Sequence, residues 1–208
     1  MKIYRSFLND SKLKKIKYKG DKVVLDFDYC LMEIHRKIFD EYEFIIGNTY
    51  SKDFLSLIRK EDDFLMINNY VFSLDENFYN EFEIRKKINS KFKDFPFSTK
   101  KEAFESLKKS KIIDDVQFAK DTLNYFNNKN YGKNKIIKYL YDKHINKHII
   151  EDLVFDEEKE MEKANNFYQE IVHKYNNLPE EKKLSKISNN LYRQGFERDV
   201  IETIIINN

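Results

Sequence analysis

A pattern that returns about every fifty residues constrains this chain more than any other feature. It reads Ile84-x-x-x-Ile88-x-x-Lys91, then Ile136-x-x-x-Leu140-x-x-Lys143, then Ile187-x-x-x-Leu191-x-x-Gln194. The second and third copies stay in step: Ile145 then Ile149-Ile150 in one matches Phe196 then Val200-Ile201 in the other. A fixed period of this size marks stacked supersecondary units, none of which buries its apolar face alone. It predicts an elongated binding surface rather than a pocket enzyme.

The 208 residues suffice for one or two domains or a short repeat array. Only 4 Gly and 2 Pro interrupt them, and so little turn punctuation favours helices joined by short loops. No run approaches the roughly 18 apolar residues of a membrane helix. The opening MKIYRSFLNDSKLKK lacks a signal peptide's apolar run. A lone cysteine, Cys30, forms no internal disulfide, and a buried structural thiol is its expected role. These features predict a cytoplasmic protein without a membrane partner. Net charge is only +2 but unevenly spread. Residues 80–150 carry 17 Lys/Arg against 9 Asp/Glu, whereas residues 151–170 carry 2 Lys against 8 Asp/Glu. The basic middle points to an anionic partner, with solvated Lys-rich helix faces as the plainer reading.

Residues 13–28 read as a hairpin. Ile16 and Tyr18 alternate with lysines, Gly20-Asp21 supplies the turn, and Val23, Leu25 and Phe27 alternate on the return. A third strand near 30–34 follows, then a turn at Ile46-Gly47-Asn48, then a short helix capped by Ser51 and running through Arg59. From about residue 62 the apolar period is helical. It predicts helices near 63–76, 80–92 and 98–110, then 115–128, 132–143 and 146–154, then 156–176, 180–194 and 197–206. Ser98 is a candidate N-cap after Pro96, with Glu102 near the position for a capping interaction. Asn146 is a second cap. Pro179 opens a helix and Gly195 closes it. The fold class is mainly α: three three-helix repeats in a short α-solenoid, at 61–112, 113–155 and 156–208, behind a small α/β module at 1–60.

Asp114-Asp115 reads as an N-cap and first-turn acid ahead of Phe118, since no ligand cluster accompanies it. His144 and His148 are four apart, but no Glu lies between them and a helix break is expected at 145–146, which argues against zinc. Four scattered glycines cannot build a phosphate-binding loop, and no convergent catalytic set is visible. The chain therefore reads as a non-enzyme without a cofactor or metal. The basic set is the best functional candidate. Arg85, Lys86, Lys87 and Lys91 fall on one middle helix and Lys133, Lys135, Lys138 and Lys143 on the next, with Arg193 on the third. Lysines give affinity and steering to phosphates or acidic surfaces but little sequence reading. Tyr125, Tyr131, Tyr139 and Tyr141 lie nearby as candidates for base stacking, although packing is the commoner fate of tyrosine.

Ile113-Asp114-Asp115-x-x-Phe118-Ala119, followed by Gly132-x-x-x-Ile136-x-x-x-Leu140-x-x-Lys143-x-Ile145, resembles the RecX family of recombination regulators. The C-terminal Leu191-Tyr192-Arg193-Gln194-Gly195-Phe196 with Val200-Ile201 has the same look. The hairpin resembles the N-terminal extension that some members carry. Two departures stand out. Asp94-Phe95-Pro96-Phe97 replaces the tight turn of the other copies, and His144 stands where the family often has Gly. The resemblance implies a protein that binds the RecA filament on single-stranded DNA and restrains its ATPase, extension and strand exchange; a monomer is expected. Some members also bind DNA directly, so single- and double-stranded DNA are both implied ligands. A curved array would touch several filament subunits at once, raising apparent affinity without one strong site. The competing readings are a stand-alone DNA-binding protein of tandem helix-turn-helix-like units and a scaffold for another protein. Middle helices rich in Lys, rather than Arg, Asn or Gln, favour backbone or protein contact over base reading.

Overall fold

A computed structural model describes residues 9–74 and 79–207. The last two residues of the helix expected near 63–76, like the opening segment 1–8, lie outside them. The described residues form two compact units. One holds 9–74 and 84–112, the other 79–83 and 113–207.

The first unit begins with strands β1 (Ser11–Lys19), β2 (Lys22–Phe27) and β3 (Leu31–His35). Helix α1 (Arg36–Glu41) and the short strand β4 (Thr49–Tyr50) follow. The antiparallel sheet has the order β3-β2-β1-β4. Alternation of apolar residues dictates its two faces. Val23, Leu25 and Phe27 of β2 and Met32 and Ile34 of β3 are buried, and their neighbours are not. Gly20, at φ +62°, makes the tight turn between β1 and β2. The buried face packs on Leu55 and Ile58 of α2 (Lys52–Phe72), and α2 packs in turn on α4 (Phe97–Lys109).

The helix predicted to stop at Arg59 and the one predicted to start at 63 are one helix of 21 residues. Ser51 caps it as expected, its hydroxyl accepting from Phe54 N at 3.2 Å. The run Arg59-Lys60-Glu61-Asp62-Asp63 looks like a polar break, yet its charges fasten α2 to the sheet. Arg59 donates to Glu33 O at 2.9 Å and pairs with Asp62 at 3.4 Å, and Asp62 accepts from His35 N at 2.7 Å. Burial raises the Asp62 carboxyl above its ordinary pKa. Ser98 does not cap α4. Pro96 occupies that position and the helix begins at Phe97, while Glu102 pairs with Lys60 at 2.6 Å.

Helix α3 (Glu81–Lys91) starts in the second unit and ends in the first. The remaining helices are α5 (Asp115–Asn127), α6 (Lys133–Asp142), α7 (Lys147–Glu151), α8 (Glu157–Ile171), α9 (Glu180–Gln194) and α10 (Arg198–Asn207). A 3-10 turn, Val172–Tyr175, extends α8. Helices α5, α6 and α7 close over one core: Phe118, Ala119, Ile136, Leu140, Ile145 and Ile150. Helices α8, α9 and α10 close over another, in which Tyr168, Ile187, Leu191, Phe196 and Ile201 are buried. Helices of 5 to 15 residues are marginal alone in water, so this mutual burial stabilises them. Asp114 and Asn146 cap α5 and α7 as expected.

Four helices stop by the same device. At Lys111, Asn130, His144 and Gly195 the backbone turns left-handed, at φ 56°, 52°, 61° and 100°. In each case the next residue's N–H reaches back five residues: Ile112 to Leu107, Tyr131 to Phe126, Ile145 to Leu140 and Phe196 to Leu191. An apolar residue stands at both ends of each of these bonds, as the Schellman motif favours.

Candidate partner interface

Within the second unit, two junctions fix the surroundings of Lys133, Lys135 and Lys143. At the first, the C-terminus of α9 meets the N-terminus of α6. Gly132 N donates to Gln194 O and Asn134 N to Gly195 O, both at 3.0 Å. The orphan donors that open one helix thus meet the orphan acceptors that close another. Only glycine allows this approach. A Cβ on Gly132 would lie 2.3 Å from Gly195 C, and one on Gly195 would lie 2.4 Å from Lys135 Cβ. At the second junction, the C-terminus of α6 meets the start of α3. Asn80 and Glu83 form a capping box there, with Glu83 N donating to Asn80 Oδ1 at 2.9 Å. Asn80 Nδ2 donates to Lys143 O at 2.6 Å, and the Phe82 and His144 rings lie 4.1 Å apart.

These junctions engage three of the nine residues that charge pattern selected. Lys143 donates to Glu83 at 2.6 Å, and this bond raises the ammonium above its ordinary pKa. Lys133 pairs with Glu197 at 3.2 Å, and its backbone N–H donates to Glu160. Lys135 lies 3.8 Å over the Tyr131 ring, where desolvation lowers its pKa. All three are half-buried. In the first unit, Arg85 stacks on Phe104 at 4.3 Å and reaches Glu105 at 4.0 Å, and Lys91 lies 5.7 Å over Tyr70. Lys87 is half-buried and is engaged within the fold. Lys138 is 74% exposed and its i,i+4 pair with Asp142 is solvated, so that pair holds it weakly. Lys86 and Arg193 are exposed and make no ion pair among the described residues.

Tyr131 and Tyr139 both pack against Phe126, at 5.0 and 4.9 Å. Tyr125 and Tyr141 are exposed. Tyr192, which charge pattern did not select, is 70% exposed and stands after Leu191 as Tyr141 stands after Leu140. Sequence reasoning also missed the buried pair Glu160–Lys163, at 2.6 Å, inside the acidic block. Lys163 donates there to Asn127 and to Tyr131 O, and so ties α8 to the end of α5. The remaining candidates are structural in geometry. Asp115 accepts from Glu81 N at 2.8 Å, and His148 pairs with Glu151. Cys30 is buried, which pushes its thiol pKa up. Among the described residues no group of three or more His, Cys, Asp or Glu could hold a metal, and no helix is long and apolar enough to cross a membrane.

No family model matches the chain. Curated relatives do. Regulatory protein RecX of Clostridium botulinum (strain Alaska E43 / Type E3) is 31% identical over 192 residues, which cover 88% of this chain and 87% of that protein. The chain belongs to the RecX family. Regulatory protein RecX of Clostridioides difficile (strain 630) is 24% identical over 201 residues, 94% of this chain and 93% of that one. The fold agrees. A crystal structure of regulatory protein RecX matches with a TM-score of 0.69 at 20% identity, covering 93% of this chain and 98% of its own. RecX from Lactobacillus salivarius matches with a TM-score of 0.62 at 22% identity, covering 71% and 95%. The sheet module and the helical remainder are therefore both parts of a RecX-like architecture.

Proposed function

We propose that this RecX-family chain is a non-enzymatic cytoplasmic regulator that binds the RecA filament on single-stranded DNA. On this reading it contacts adjacent protomers and restrains ATP hydrolysis, filament extension and strand exchange. Its helices after residue 60 act as three successive units, 61–112, 113–155 and 156–208, each offering its middle helix to the filament. The observation that carries the reading is the recurrence of an exposed tyrosine in the last turn of two helices that the sequence repeat aligns, each helix also bearing an exposed cation. Tyr141 with Lys138 stands on α6 and Tyr192 with Arg193 on α9. A repeated contact suits a partner built of repeated subunits, because weak contacts made together raise apparent affinity.

Within the nine basic residues, Lys86, Lys91, Lys138 and Arg193 are the proposed partner contacts, with Arg85 as a fifth. Lys133, Lys135 and Lys143 hold the junctions within the second unit. The test is binding to labelled single-stranded DNA, with and without RecA and a slowly hydrolysed nucleotide, across a salt series. Tight binding only in the presence of the filament, with a shallow salt slope, is expected. Equal binding to bare DNA with a steep slope would instead make the chain a stand-alone DNA-binding protein.

A further inference from the structure

The first unit carries an open groove of about 400 Å³ between α1, α2 and α4. Its walls are apolar, formed by Ile38, Leu57, Phe64 and Leu65. Leu57 is 48% exposed on its lip. Its rim carries three carboxylates, Glu41, Glu61 and Glu102, against one ammonium, Lys60. Asn68 also lines it, and Asn68 Oδ1 is buried without a hydrogen-bond donor. A buried acceptor left without a donor is costly and calls for a donor from an occupant.

We propose that this groove binds a basic, partly apolar peptide segment of a partner protein and seats one of its arginines. The three properties of the groove select that chemistry together. Apolar walls accept the aliphatic stem of a long cation and a neighbouring apolar side chain. The carboxylate rim attracts a guanidinium, whose several N–H groups can satisfy Asn68 Oδ1 and a rim carboxylate at once. The same rim repels phosphate, so nucleic acid is not the occupant. The volume is at the lower end of the range for small-ligand sites and suits about two side chains rather than a whole helix. Nothing in this inference depends on the recombinase reading, because the groove's residues are none of those assigned to the filament.

The test is an amide chemical-shift titration of the full-length chain with acetyl-Leu-Arg-Arg-Leu-amide. The counterpart with Glu in place of Arg serves as the control. Shifts should cluster at Ile38, Leu57, Phe64 and Asn68, and the Glu peptide should cause none. The double variant Glu41→Lys/Leu57→Lys changes two exposed positions, so its spectrum should report an intact fold. Its affinity for the Arg peptide should fall at least tenfold. Shifts centred instead on the acidic first turn of α8, or affinity unchanged in the variant, would overturn the proposal. So would a concentration-dependent dimer that the variant abolishes, since the groove would then belong to a second copy of this chain.

Discussion

Gly132→Ala is the substitution with the most to say about how this chain is built. The backbone at Gly132, φ −74° and ψ 159°, suits any residue, so conformational strain plays no part. The new methyl would meet Gly195 C at 2.3 Å, Gly195 O at 2.4 Å and Phe196 N at 2.4 Å. All three are main-chain atoms, so no rotamer change relieves the clash. The ends of α6 and α9 must separate, and both 3.0 Å hydrogen bonds between them weaken. Overpacking costs about 1–3 kcal/mol, and each lost hydrogen bond about 1 kcal/mol. A loss of about 3 kcal/mol is expected, a fall of roughly 6–12 °C in Tm for a chain of this size. Gly20→Ala is the control. It meets nothing within 4 Å and suffers only the strain of φ +62°, about 1–2 kcal/mol. Urea unfolding of the two variants beside the parent measures both. If Gly132→Ala unfolds at the parent's midpoint, or costs less than Gly20→Ala, the junction is not what holds these helices together.

Lys111→Gly removes an exposed left-handed lysine and should stabilise by about 0.5–1 kcal/mol, since glycine bears that conformation without a Cβ clash. His144→Gly should gain nothing net, because the relief there is offset by loss of the ring contact with Phe82, about 0.5–1.5 kcal/mol. Urea midpoints of the pair decide it, and a destabilised Lys111→Gly would count against the common helix-stop device. Lys143→Met should cost about 1–2 kcal/mol near neutral pH by breaking the bond to Glu83. The Lys143 pKa is raised by that bond above its ordinary 10.5, so the stabilisation is fully present below pH 10.5 and is lost as pH rises through the folded value. The gap between parent and variant should therefore stay constant from pH 6 to 9 and close only above pH 10.5; a gap that changes between pH 6 and 9 refutes the assignment.

Much of this architecture was legible in the sequence, for reasons that are local. The hairpin followed from period-two alternation across Gly20-Asp21, and the observed helices from Glu81 onward followed from period-3.6 apolar spacing. Ser51, Asp114, Asn146 and Gly195 act where local chemistry places them. What stayed hidden depends on residues far apart in the chain. The charged run after Arg59 resembles a loop until Glu33 and His35, more than twenty residues earlier, are seen to receive it. Three helix stops lack the glycine that would announce them, because Lys111, Asn130 and His144 occupy the left-handed position themselves. In the basic set, composition selected lysines by type and spacing. It could not distinguish Lys143, whose partner Glu83 lies sixty residues away, from Lys138, which remains open to solvent.

The measurement that tests the central claim most directly is ATP hydrolysis by RecA on single-stranded DNA as this chain is titrated in. The parent chain should suppress hydrolysis. A Lys138→Glu/Arg193→Glu variant, altered only at exposed positions, should need at least tenfold more protein for the same effect. Hydrolysis unchanged at saturating parent chain would contradict the account, and equal suppression by parent and variant would show that these two helices are not where the filament is held.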